Sequence, residues 1–182
     1  MRCARLFSVL VLVVAGAAAG PAGAQDANSA KAFLTKAYTH YGKNGKGISF
    51  SGPLAQRYFH SSLIALVQDH DNALGSDLGE FDGDIVCSCM DWGGIFDLKI
   101  DVLIENPQRA SATVPFALYD GKDRGMSGWR KLKFTLLPER GRWRIWDIAD
   151  YSNPKNVYTV REVLRSDIQS HAKASTGQTA QP

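Results

Sequence analysis

Two cysteines separated by one residue, Cys87 and Cys89 in the stretch DIVCSCMDWGG (84–94), are the side chains of this 182-residue chain that most directly invite chemistry. Thiols at that spacing could form a redox couple, supply half of a metal site, or close a small structural loop. Asp84 and Asp91 bracket them and Trp92 follows. A flat strand holds residues i and i+2 about 6.6 Å apart with parallel Cβ directions, whereas a disulfide needs Cβ atoms about 3.5–4.5 Å apart. A bond between these cysteines therefore requires a turn or bulge. With a closed loop of about three residues, chain entropy gives it only ~1.6 kcal/mol of stabilisation. Redox enzymes favour Cys-x-x-Cys at a helix start, where the thiol pKa is depressed, and that pattern is missing. Zinc asks for four ligands, and His40, His60, His70 and His171 are scattered. Monovalent copper would accept two thiolates. The candidate disulfide, a pair of buried thiols, and a thiol metal or redox carrier remain as alternative readings.

Asp147 is the other acid of interest. Strand alternation in RWRIWDI (142–148) puts it on the face of Trp143 and Ile145, where a carboxylate is either hydrogen-bonded for structure or raised in pKa for proton transfer. Its structural role would be a bond to Arg144 or to a loop N–H after a twist at Trp146. Its catalytic role, as a weak candidate, would be an acid/base with Tyr38 or Tyr58 as donor. Trp129, Trp143 and Trp146 crowd the last two strands, and large aromatics left exposed mark ligand or partner contacts. Trp146, Trp92 and Asp91 are thus candidate binding residues. No Ser-His-Asp order, phosphate loop or His-Glu-x-x-His spacing occurs, and neither a cofactor nor a metal site is expected.

The ends of the chain bear on where such residues would work. Arg2 and Arg5 precede the apolar run LFSVLVLVVAGAAAG (6–20), and Ala22-Gly23-Ala24 offers small residues before Gln25. This is the pattern of a cleaved signal peptide over 1–24; the apolar run is shorter than the ~20 residues that span a bilayer. Cys3 lies ahead of that run, not at the cleavage point. A periplasmic or secreted protein without a membrane anchor is expected. Removal of two arginines and no acid leaves 21 − 2 − 18 = +1, too balanced for nucleic acid as the main partner. The rest suits one domain over 25–171, with a small, polar tail from Ala172 to Pro182 expected to be disordered.

Hydrophobic spacing predicts a helix over 28–41, capped by Asn28 or Ser29, and a second from Pro53 through Val67. The period then changes to two. Phe96, Leu98, Ile100, Val102 and Ile104 predict one long strand, and Ala112, Val114, Phe116 and Leu118 a second with Pro115 at a bulge or edge. Leu132, Phe134 and Leu136 give a third, and the turn PERG (138–141) leads to a fourth. Thr159 and Glu162 form a capping box for a short last helix. Helices followed by a strand meander argue an α+β fold with helices packed on one side of an antiparallel sheet.

YGKNGKG, DIVCSCMDWGGI, ASATVPFAL and RWRIWDI together resemble a family of bacterial secreted proteins, domain of unknown function 3828, in the nuclear-transport-factor-2-like superfamily. Asp84, Cys87, Cys89 and Asp91 match its Asp-Pro-Phe-Cys-x-Cys-Gln-Asp motif, with Ile85, Val86 and Met90 as departures. Trp143, Ile145, Asp147 and Ile148 match Trp-x-Ile-Asp-Asp-Ile, with Trp146 as the departure. The resemblance covers most of 28–168. It implies a cone-shaped fold with a curved sheet over N-terminal helices, and it carries no established activity. The resulting expectation is an exported, non-catalytic binding or accessory module of the cell envelope. Its partner would be an envelope protein or a small ligand, and a homodimer through the open sheet face is plausible from that fold.

Overall fold

The computed structural model describes residues 25–42, 45–74, 83–90, 93–119 and 128–177. The expected signal peptide (1–24) and residues 75–82 lie outside them. Among the described residues the fold is α+β: four α-helices and an open antiparallel sheet of six strands.

Helix α1 (Ala27–Tyr38) begins one residue earlier than its apolar spacing indicates. Asp26, not Asn28 or Ser29, is the cap: its carboxylate accepts the Ser29 N–H at 2.7 Å, and Ser29 Oγ accepts the Asp26 N–H at 3.1 Å. Such a reciprocal pair satisfies amides that the first helical turn leaves open. A 3₁₀ turn (Thr39–Tyr41) closes the helix. The single second helix expected from Pro53 is two. Helix α2 (Gly52–Tyr58) stops where Phe59 adopts an extended conformation, and α3 (Ser61–Leu74) follows. The break serves the sheet, since Phe59 bridges Ile145 and the His60 N–H donates to Ile145 C=O at 2.9 Å.

The long strand expected after Ile95 is likewise divided, into β1 (Gly94–Phe96) and β2 (Asp101–Asn106). Asp97 stands between them at φ 54°, outside the β region. Both pair with β3 (Arg109–Tyr119) at different points. Pro115 is therefore on an interior strand rather than at an edge. Its C=O accepts the Lys99 N–H at 3.1 Å, so its missing donor faces the gap between β1 and β2. Strand β4 (Trp129–Glu139) continues into β5 (Arg142–Asp150) through Arg140 and Gly141, at φ 52° and 71°. Two left-handed residues are what a tight hairpin with right-handed strand twist demands. Strand β6 (Tyr158–Thr159) extends the sheet order to β1-β3-β4-β5-β6, with β2 beside β3.

Helix α4 (Val160–Gly177) is long, not short. Thr159 caps the helix as expected, its Oγ1 accepting the Glu162 N–H at 3.2 Å, while Glu162 Oε2 accepts the Thr159 hydroxyl at 3.0 Å in place of the backbone bond of a full capping box. The helix reaches through Ala172 to Gly177, into the segment that composition alone reads as disordered. Its contacts are to α3 and to the β5–β6 edge.

The core lies between α1 and one sheet face. Ala110, Ala112, Val114 and Phe116 of β3 and Leu132, Phe134 and Leu136 of β4 are all fully buried. The Tyr38 ring of α1 meets Phe116 edge-on at 5.6 Å and Phe134 at 6.2 Å. Trp143 joins the same face and donates Nε1–H to Ser29 Oγ at 3.0 Å. Buried aromatics with a satisfied polar tip fix the helix on the sheet.

Candidate functional site

The cysteine segment is a turn. Residues Ile85–Ser88 reverse the chain between Asp84 and Cys89, which exchange both backbone hydrogen bonds at 2.8 and 3.2 Å. Ser88 takes φ 47° at its corner. This supplies the curvature that a flat strand withholds. The sulfur atoms of Cys87 and Cys89 are in disulfide-like contact, with Cα atoms 5.2 Å apart, inside the usual range for a bridge. Cys87 is fully buried and Cys89 nearly so.

Asp84 fastens this turn to the helical layer. Its carboxylate accepts Tyr41 O–H at 2.7 Å, Val86 N–H at 2.8 Å and Ile48 N–H at 3.1 Å. Tyr38 O–H, from α1, donates to Val86 C=O at 3.0 Å. Burial raises the Asp84 pKa above its ordinary 3.8, although the hydrogen bonds from Tyr41, Val86 and Ile48 pull the other way. Burial, followed by the Asp84 charge, raises Tyr41 as well. Tyr41 is thus fixed as a hydrogen-bond donor.

On its other side the turn walls a cleft of about 250 Å³. Ser88, Arg130, Asp150 and Tyr158 supply its polar groups, and Ile148 and Val160 part of its apolar lining. Asp150 is buried and accepts Ser88 O–H, the Ser152 N–H at 2.7 Å and, more loosely, Tyr158 O–H at 3.5 Å. Arg130 Nε donates to the Ser88 C=O at 2.8 Å. The turn, the first residues of β4 and the end of β5 are thereby locked together. Exposed Met90 lines the mouth, and Trp129, Tyr151 and Val157, also exposed, each adjoin a lining residue in sequence.

This arrangement can recognise a ligand by fixed donors and acceptors beside an apolar wall. To make Ser88 a nucleophile, a base such as imidazole must take its proton. Three described imidazoles bond elsewhere, His40 with Tyr58, His60 with Ser62 and His70 with Asp167, and the group that receives the Ser88 O–H is the Asp150 carboxylate. Among the described residues no cluster of three or more His, Cys, Asp or Glu could hold a metal ion, and no described helix is long and apolar enough to cross a membrane.

Asp147 does not share the Trp143/Ile145 face. The β4–β5 register passes from Thr135↔Asp147 to Leu136↔Ile145, so Trp146 is an extra, bulged residue. An inserted residue inverts the alternation beyond it, which moves Asp147 to the opposite face with Thr135. There its Oδ1 accepts the Ile148 N–H at 2.9 Å and the Arg161 N–H, in the first turn of α4, at 3.1 Å. Burial raises its pKa, against those hydrogen bonds and the nearby Arg161 charge. The sheet separates it from Tyr38, and Tyr58 bonds with His40 at 3.0 Å; the structure brings neither tyrosine to Asp147. Trp146 is half-buried beneath the Arg161 guanidinium, 4.4 Å from the ring centre, with Arg109 at 5.7 Å. Asp91 and Trp92 lie outside the described residues.

Sequence reasoning missed Ser88, Arg130, Asp150 and Tyr158 as a group. The available signal was weak: Asp150 recovers inward alternation once a bulge at Trp146 is allowed, and Ser88 sits between two cysteines. Comparison of the chain with protein-family models, curated proteins and solved structures finds no match.

Proposed function

We propose that this protein is an exported binding module of the cell envelope, with a cone-shaped nuclear-transport-factor-2-like fold and a ligand seat at the cleft beside the Cys87–Cys89 turn. The observation that carries the reading is the organisation of that cleft. Ser88, Arg130 and Asp150 come from three distant segments and fix one another before any ligand arrives. Preorganised polar groups beside an apolar wall lower the ordering cost of binding. The exposed Met90 at the mouth gives an adaptable apolar contact. A ligand suited to this seat is small, with one polar group beside the Ser88–Asp150 pair and one apolar edge. Export follows from the charged and apolar pattern of residues 1–24, and an oxidising compartment would maintain a Cys87–Cys89 bond.

The test is ligand-observed NMR with a library of small carboxylates, amides and alcohols, run on the native protein and on Arg130→Ala. Cleft ligands should weaken about tenfold, because the turn that carries Ser88 loses the charged hydrogen bond that holds it. Equal binding by both proteins would remove the cleft as the ligand seat.

A further inference from the structure

At the opposite end of β5 a larger groove, of about 920 Å³, runs between the start of α1, the end of α2 and the β4–β5 hairpin. Four cations line it: Lys36 from α1, Arg57 from α2, and Arg142 and Arg144 from β5. The lining holds one carboxylate, Asp26, which is committed to capping α1 through the Ser29 N–H. None of the four cations forms an ion pair with a described residue. Arg144 is half-buried. Its Nη1 donates to the Trp143 C=O at 2.9 Å, while its Nε is buried without a partner. Phe33, Tyr58 and Trp143 add aromatic wall, with the first two rings 5.7 Å apart.

Clustered like charges repel one another, and a buried donor without an acceptor forfeits the hydrogen bond it makes to water in the unfolded chain. Burial lowers the Arg144 pKa; the Glu139 charge, which is not part of the groove lining, opposes this, and the Arg142 and Arg140 charges add to it. Folding therefore gathers four cations here with one distant counter-charge, Glu139, and no direct ion pair to a described residue. An oxyanion would provide acceptors for guanidinium forks and an ammonium together, and the aromatic walls would cover an apolar body attached to it. The volume falls within the range of small-molecule sites.

We propose that this groove binds a small organic anion, with a phosphate, sulfate or carboxylate head against Arg57, Arg142, Arg144 and Lys36 and an aromatic or alkyl body along Phe33 and Tyr58. The site is separate from the cleft at the cysteine turn, and neither depends on the other.

Isothermal titration of the purified protein with phenyl phosphate, benzoate, inorganic phosphate and benzyl alcohol tests the assignment. Phenyl phosphate or benzoate should bind about tenfold more tightly than inorganic phosphate or benzyl alcohol, because only they satisfy both halves of the groove. The phosphate-to-carboxylate order then identifies the head. Arg57→Gln combined with Arg144→Gln should weaken that binding about tenfold or more. Arg142 is exposed, so Arg142→Gln, which leaves the core intact, should weaken it about threefold and flatten its salt dependence. Arg130→Ala should leave it unchanged. Equal affinity for phenyl phosphate and benzyl alcohol, or full affinity in Arg142→Gln and in the double variant, would overturn the proposal.

Discussion

The two ends of strand β5 treat polar groups in opposite ways. At the Ile148–Asp150 end, a buried carboxylate is surrounded by donors from Ser88, Ser152 and Tyr158, and an arginine holds the backbone of the turn that carries Ser88. At the Arg142–Arg144 end, four cations face a wide groove with no ion pair to any described residue. The first arrangement is complete in itself and contributes rigidity; the second is completed only from outside. Buried polar networks stabilise when every member is satisfied and cost free energy when one is not. Mutation of the cleft should therefore change stability and shape together with affinity, and mutation of the groove mainly affinity and salt dependence.

The largest expected effect sharpens that contrast on the cleft side. Asp84→Ala removes the acceptor for Tyr41 O–H, Val86 N–H and Ile48 N–H, which should destabilise the fold by about 3 kcal/mol in urea unfolding. Loss of less than ~1 kcal/mol would mean the turn is held by the core alone. Arg130→Ala should cost about 1 kcal/mol and weaken cleft binding about tenfold while sparing the groove. Replacing both cysteines by serine should cost no more than ~1.6 kcal/mol, given the short loop the bridge closes, with cleft affinity falling more than stability.

A pH series probes the same anchor. Burial raises the Asp84 pKa above 3.8. A raised carboxylate pKa means that the native state holds its proton longer, so this contribution is full below 3.8 and lost as pH rises through the folded value. Asp84→Asn should accordingly cost more in acid than at neutral pH. The reverse trend would show that the hydrogen bonds to the carboxylate outweigh its burial. The smallest effect belongs to the groove end: Arg140, at φ 52° in the hairpin turn, should give about 0.5 kcal/mol when replaced by Gly, because a side chain disfavours that conformation. A loss of stability there would argue that Arg140 makes a contact worth more than its strain.

What could be read from the sequence follows from range. The alternation in β3 and β4 is uninterrupted and gives the sheet's inner face directly, Ala112, Val114 and Phe116 against Leu132 and Phe134. The Thr159–Glu162 cap spans three residues and is equally plain. Errors came where one residue departs from a regular pattern for tertiary reasons. The bulge at Trp146 moved Asp147 across the sheet, and Asp97 at φ 54° cut one apparent strand into two. Phe59 did the same to a helix by bridging Ile145. The turn at Cys87 and Cys89 was legible as a geometric requirement, because a strand cannot join them. Its partners were not, since Ser88 meets Asp150 62 residues later and Arg130 42 residues later. No local spacing encodes such a meeting.

The central claim, a preformed ligand seat beside the cysteine turn, is tested most directly by a ¹⁵N-resolved NMR titration with the tightest fragment from the library. The backbone amides of Ser88, Arg130 and Tyr158 should move together in one saturable transition, and Arg130→Ala should move it to about tenfold higher ligand concentration. Shifts that cluster around Arg57 and Arg144 instead, or that saturate at the same ligand concentration in Arg130→Ala, would contradict the account.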